Sequence, residues 1–114
     1  MADECIFCQI IAGRKPADIV YQTETIMAFR DIAPQAPIHI LLVPRKHIVS
    51  IADLSAEDAP LMGDLMLAAR AVAEQEGISH GFRLVVNSGR PAGQSVFHLH
   101  FHLLGGRRMV WPPG

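Results

Sequence analysis

Along this chain, short apolar stretches rich in strand-forming residues are separated by one long stretch with a helical period. The strand-like segments are Ile19-Val20-Tyr21, Ile26-Met27-Ala28-Phe29, His39-Ile40-Leu41-Leu42-Val43-Pro44, Phe82 to Asn87 and Val96 to Leu104. Gln22-Thr23-Glu24-Thr25 joins the first two as a hairpin. Asp31 to Pro37 is a loop whose two prolines set its path, and Ser88 to Gly93 is a polar turn. From Leu54 to Gly77 the period changes: Leu61, Leu65, Ala68, Ala69 and Val72 form a core-facing helical stripe, with Asp64, Arg70, Glu74 and Gln75 off it. Gly77 is a natural stop. Ser55 with Asp58 resembles a capping pair and Pro60 suits a first turn, which places the start of regular helix near Asp58. Asp3 to Gly13 reads as a short helical or irregular opening in which Ile6, Phe7, Ile10 and Ile11 cover something apolar. The sum is an α+β domain, a five-stranded antiparallel sheet with one main helix and a short N-terminal helix.

The last strand-like segment is the most informative. In Phe97-His98-Leu99-His100-Phe101-His102-Leu103-Leu104 histidine occupies every second position. On a strand, Phe97, Leu99, Phe101 and Leu103 would enter a core and His98, His100 and His102 would line the other face. Neighbouring imidazoles would root about 7 Å apart and the outer pair roughly 13 Å, too far for all three to bind one metal. Such a row suits an extended, charged substrate, unless it is a solvent face that happens to carry histidine.

Composition narrows the class. With 114 residues the chain is one domain, 1–114. Half of the residues are apolar and 18% charged, the usage of a globular protein. No apolar run is long enough for a bilayer, and Asp3, Glu4 and Gln9 leave residues 1–12 without the features of a leader, so a cytoplasmic location is expected. A net charge of −1 argues against a nucleic-acid partner and leaves any phosphate to local groups.

A neutral imidazole can attack phosphorus and split one displacement into two. His100, the middle of the row, is the natural nucleophile; His98 and His102 could orient it, bind phosphate oxygens or protonate a leaving group. Ser95 and Asn87 could donate to the same oxygens. His39 is either part of a relay, if its strand pairs beside the row, or a strand-end residue bonded to a loop. Cys5-Ile6-Phe7-Cys8 is a C-x-x-C, which outside an oxidising compartment points to metal or redox chemistry. The strand-helix context of a redox motif is absent, and His47 plus one histidine of the row could complete a zinc tetrahedron. His80 receives no role.

Taken together, His39, Asn87, Gly93-Gln94-Ser95, the complete His-φ-His-φ-His-φ-φ motif at 98–104 and the closing Trp111-Pro112-Pro113-Gly114 resemble the histidine triad family, in its nucleotide-binding Hint branch. The resemblance runs from about Asp3 to the last residue. It implies a purine nucleoside phosphoramidase that cleaves the P–N bond of adenosine 5′-phosphoramidates (AMP-NH2, AMP-lysine type) through an adenylylated His100. His102, His98, His39 and Ser95 would support it. The nucleotide site would comprise Ile6, Phe7, Ile10, Phe29, Asp31, Ile32, Leu41, Asn87, Gly93, Gln94, Ser95, His100 and His102, with Asp31 accepting the ribose hydroxyls. Each of the apolar six is equally what a small core would use. Prokaryotic-type members also imply a structural zinc on Cys5, Cys8, His47 and His98, with no cofactor needed for catalysis. Family members are homodimers with joined sheets, in which a residue matching Trp111 reaches the partner's site; Trp111 could otherwise pin the terminus. Implied ligands are AMP or GMP, with neither nucleic acid nor membrane as partner. Rival readings are a dinucleoside polyphosphate hydrolase of the Fhit branch, a zinc-stabilised nucleotide-binding or regulatory module with incidental hydrolysis, and a zinc hydrolase.

Overall fold

In a computed structural model describing residues 4–114, five strands form one antiparallel sheet in the order β1-β2-β3-β5-β4. Asp3 lies outside the described residues. The strands are β1 (Ile19–Gln22), β2 (Ile26–Arg30), β3 (Ile38–Pro44), β4 (Phe82–Val86) and β5 (Phe101–Gly105). Two helices flank them, α1 (Ile6–Ile11) and α2 (Ala59–Gln75). The hairpin between β1 and β2 closes through Thr23, whose hydroxyl accepts the Ile26 amide at 3.0 Å. No described helix is long and apolar enough to cross a membrane.

Both faces of the sheet are covered, which explains why β3 is an almost unbroken apolar run. On one face Ile40 and Leu42 meet Leu65, Ala68, Ala69, Val72 and Ala73 of α2, together with Leu99, Phe101 and Leu103. On the other, Leu41 and Val43 meet Phe7 and Ile10 of α1, with Met27 and Phe29. Of the stripe its period predicts, Leu65, Ala68, Ala69 and Val72 are buried and Leu61 is half-buried, while Ala73 joins them.

The structure changes the sequence expectation in two places. The stretch from Leu54 is not one continuous helix: 3-10 turns at Ile51–Asp53 and Ala56–Asp58 precede α2. Asp58 is the cause. Its buried carboxylate accepts the Ser55 amide at 3.0 Å and pairs with Lys46 at 2.7 Å, and Pro60 then opens the regular helix. The second correction concerns the histidine strand, which begins only at Phe101. Before it, the backbone bonds to the segment after β3 instead of to a neighbouring strand: the Leu99 amide donates to Ile48 at 2.6 Å. Phe97 accordingly leaves the core and lies 4.7 Å beneath the Arg90 guanidinium.

Glycines separate the tight places from the loose ones. A Cβ on Gly105 would come within 2.5 Å of Ile78 Cδ1, whereas one on Gly63, inside α2, would meet nothing within 4 Å. Gly105→Ala should therefore destabilise the fold by about 1–3 kcal/mol through overpacking. Gly63→Ala should stabilise it by about 0.5–1 kcal/mol through lower backbone entropy in the unfolded chain. Urea unfolding of the two variants checks both signs.

Candidate functional site

On the α1 face of the sheet lies a cavity of about 590 Å³. Its apolar wall is Ile6, Phe7 and Ile10 from α1, Phe29 and Leu41 from the sheet, and Ile32 from the loop after β2. Asp31, Ser95, His100 and His102 line its polar side. Pro16, Ala17, Asp18, Arg30 and Val96 also line it. Nothing in the sequence singled out those five as site residues, because chain folding alone brings the segment after α1, the end of β2 and the approach to β5 to one pocket. A second cavity, of about 600 Å³, is lined by His80, Phe82, Arg83, Arg107, Arg108 and Met109, and contains none of the row of histidines.

Hydrogen bonds assign the protons on the imidazoles. His100 Nδ1 lies 2.8 Å from the carbonyl of His98. A carbonyl only accepts, so Nδ1 carries the proton and Nε2 keeps its lone pair. Burial holds the His100 pKa below 6.5, against the opposing pull of that bond and of Asp31, which keeps the ring neutral near pH 7. On His39 the reverse nitrogen is free: Nδ1 accepts the Gln35 amide at 2.9 Å, which puts the proton on Nε2. That Nε2–H points at His102 Nδ1, 2.9 Å away, with Asp31 Oδ2 at 3.4 Å. His102 therefore accepts at Nδ1 and carries its own proton on Nε2. Burial, then the charges of His100 and His39, push the His102 pKa down to about 4. Asp31 is further held by the Ala33 amide, 2.8 Å from Oδ1.

His98 faces elsewhere. It is fully buried, and its Nε2–H donates to the Pro44 carbonyl at 2.8 Å. The lone pair on Nδ1 is then directed at a cluster, with Cys5 Sγ at 3.4 Å, Cys8 Sγ at 3.5 Å and His47 Nδ1 at 3.1 Å. Cys8 Sγ to His47 Nδ1 is 3.2 Å. All four ligand atoms lie within 4.8 Å of one another. Bonds of about 2.1 Å to nitrogen and 2.3 Å to sulfur give a tetrahedron with edges of roughly 3.3–3.8 Å, so the cluster fits one metal ion with little adjustment. Burial together with the neighbouring Cys5 pushes the Cys8 thiol up to about 11. Asp31, His39 and His102 also gather within 4.8 Å. There His39 Nε2 is protonated, because Nδ1 accepts the Gln35 amide, so neither nitrogen of that ring has a free lone pair to offer a metal.

The row of histidines is thus divided by the structure: His100 and His102 line the cavity, and His98, with both nitrogens taken, does not. Of the remaining residues singled out by sequence, Ser95 is exposed on the cavity rim. Asn87 follows β4, and its Nδ2 lies 3.9 Å from where a Cβ on Gly93 would stand. Gly93, at φ 95°, ends a short 3-10 turn in the left-handed region that glycine favours. Gln94 is buried and shapes the same loop, accepting the Gly89 amide at 2.8 Å and donating to the Val49 and Val96 carbonyls at 2.6 and 3.1 Å. Trp111 stands 83% exposed on this single chain.

A family model described as the HIT domain matches residues 12–109. The chain is 51% identical over 108 residues to the purine nucleoside phosphoramidase of Escherichia coli, covering 94% of this chain and 91% of that protein. It is 50% identical, over the whole length of both, to an uncharacterised HIT-like protein of Synechococcus elongatus. Among solved structures, a HIT family hydrolase from Legionella pneumophila superposes with a TM-score of 0.95 at 48% identity, covering 97% of this chain and 100% of that one.

The displaced pKa of His102 makes a stability prediction. In the unfolded chain this group titrates near 6.5 and in the folded chain near 4, so between those values the unfolded state binds more protons. The His102 contribution is intact above pH 6.5 and is lost as pH falls toward about 4. Urea midpoints measured at pH 7 and pH 4.5 should drop in the parent, and drop less in His102→Gln; equal drops would contradict the assignment.

Proposed function

Because the chain belongs to the HIT domain family, we propose that it is a purine nucleoside phosphoramidase, hydrolysing the P–N bond of adenosine 5′-phosphoramidates of the AMP-NH2 or AMP-lysine type. The observation that carries this reading is the pair of opposite tautomers at one end of an apolar slot. His100 offers a lone pair on Nε2, and His102 offers a proton on Nε2. The name of the Escherichia coli relative points the same way.

In the first step His100 Nε2 bonds to phosphorus and the P–N bond breaks, its electron pair leaving with the amine, which takes up a proton from solvent. The adenylylated ring is then cationic, and its Nδ1–H remains bonded to the His98 carbonyl, a charge-assisted contact stronger than in the resting state. Water next attacks phosphorus, gives up a proton and releases neutral His100 with AMP. His102 Nε2–H and Ser95 on the rim donate to the phosphoryl oxygens and the leaving nitrogen, as charge develops there. His39 keeps His102 in the donating tautomer.

The base occupies the slot between Phe29, Ile32 and Leu41 and the α1 residues Ile6, Phe7 and Ile10. Asp31 takes the ribose hydroxyls, for which its carboxylate retains lone pairs beyond those facing Ala33 and His39. Asn87 and the Gly93-Gln94-Ser95 loop serve the phosphate side. Cys5, Cys8, His47 and His98 hold zinc; four protein ligands leave no open position, so the ion's contribution when bound is structural. The working form is a cytoplasmic homodimer with joined sheets, in which Trp111 contacts the leaving group at the partner's site. Its ligands are AMP or GMP derivatives, not nucleic acid or membrane.

Two measurements test the reading. Steady-state hydrolysis of an adenosine 5′-phosphoramidate should exceed that of a diadenosine polyphosphate, and His100→Ala should lower it by on the order of 10³-fold or more. Preference for the polyphosphate would favour the Fhit-type hydrolase, and no turnover of either would favour a nucleotide-binding module. Elemental analysis of the purified chain should give one zinc per subunit, and Cys8→Ser should lose it.

A further inference from the structure

The ligand cluster and the cavity are built from the same short pieces of chain. Cys5 is the N-cap of α1, its sulfur accepting the Cys8 amide at 3.4 Å, and Ile6, Phe7 and Ile10 of that helix form one wall of the cavity. At six residues, α1 is too short to persist through its own hydrogen bonds. The packing of Phe7 and Ile10 on the sheet helps hold it, and so does whatever holds Cys5 and Cys8. On the opposite side of the cluster, His98 gives its ring to the cysteines and its carbonyl to His100. Phe7 joins the two sides. Its ring stands edge-on to His98 at 5.9 Å, to His100 at 5.1 Å and to Phe29 at 5.5 Å. The cavity wall and the nucleophile are therefore each one or two residues from a ligand atom.

We propose that metal ligation by Cys5, Cys8, His47 and His98 is positively coupled to nucleotide binding in the adjacent cavity, each event tightening the other. The proposal rests on the reading of that cavity as the nucleotide site. Its physical basis is ordering. Four donor atoms face one another, the two imidazole Nδ1 atoms only 3.1 Å apart, an arrangement that a cation would join. Without a joining cation, the restraints on α1 include its apolar packing and the weak sulfur–imidazole contacts of Cys5 and Cys8. A base entering the slot must order α1 and the His98–His100 segment itself, and that cost is subtracted from its affinity. When the ligands are joined, the wall and the nucleophile are ordered beforehand. Linkage requires the converse, that a bound nucleotide raises metal affinity by the same factor. Cys5, Cys8 and His47 are on this view positioning residues for the nucleotide, acting through α1 and His98.

Zinc competition against a colorimetric chelator, with and without saturating AMP, reads the coupling without any turnover. The apparent zinc dissociation constant should fall by about fivefold or more with AMP present, and AMP affinity by calorimetry should change by the same factor between loaded and metal-free chain. Should far-UV circular dichroism show the metal-free chain unfolded, the rate of zinc transfer from the loaded chain to excess chelator replaces that comparison, and AMP should slow it. Phe7→Leu keeps all four ligands; it should retain one zinc and bring the coupling factor toward one. Identical AMP affinity in loaded and metal-free chain, or a transfer rate indifferent to AMP, overturns the coupling while leaving the nucleotide site standing. Failure of AMP to bind either form overturns the nucleotide reading and the coupling with it.

Discussion

A fully buried imidazole is tolerated only when both of its nitrogens are matched, and the hydrogen bond from His98 Nε2–H to the Pro44 carbonyl supplies half of that match. This bond decides the rest of the centre. It directs the Nδ1 lone pair into the cysteines, ties the end of β3 to the segment entering β5, and leaves the His98 carbonyl free to take the His100 Nδ1–H. Removing the ring would therefore cost one of the four clustered donors and the link between two segments, and would unsettle the segment whose carbonyl holds the His100 Nδ1–H.

The sheet divides stability from function between its faces. Against α2 it buries a deep cluster, from Ile26 and Leu42 to Val72 and Leu103, which fixes the strand register. Against α1 the cluster is small, and much of that face is cavity wall. Sites that must admit a ligand are drawn from the less stable parts of a fold. Here the less stable part is a six-residue helix, restrained at its first turn by two cysteines.

Within the cavity lining, two histidines two residues apart hold opposite tautomers. The difference lies in what each Nδ1 meets: His100 finds a carbonyl and must donate, while His102 finds the Nε2–H of His39 and must accept. Burial then keeps both neutral near pH 7, so neither the His100 Nε2 lone pair nor the His102 Nδ1 lone pair that accepts from His39 is lost to protonation. The Gln35 amide, at the far end of this chain of contacts, sets the tautomer of His39 and through it that of His102.

The sequence by itself determined a great deal. The apolar run of β3 and the alternation over residues 97–104 marked strands, the spacing from Leu61 to Val72 marked the face of α2, and the C-x-x-C with the histidine row marked candidate ligands, because side-chain period and ligand type are local properties. The residues expected to form a nucleotide slot, Ile6, Phe7, Ile10, Phe29, Ile32 and Leu41, do line one cavity. Tertiary structure alone decided which nitrogen of each histidine is free. It also decided that His98 turns from the row into the cysteines, that Phe97 leaves the core for Arg90, and that Asp58 breaks the approach to α2 by reaching Lys46. The last three outcomes depend on partners 7 to 93 residues away in sequence, and no local pattern records which of several competing partners a side chain will meet.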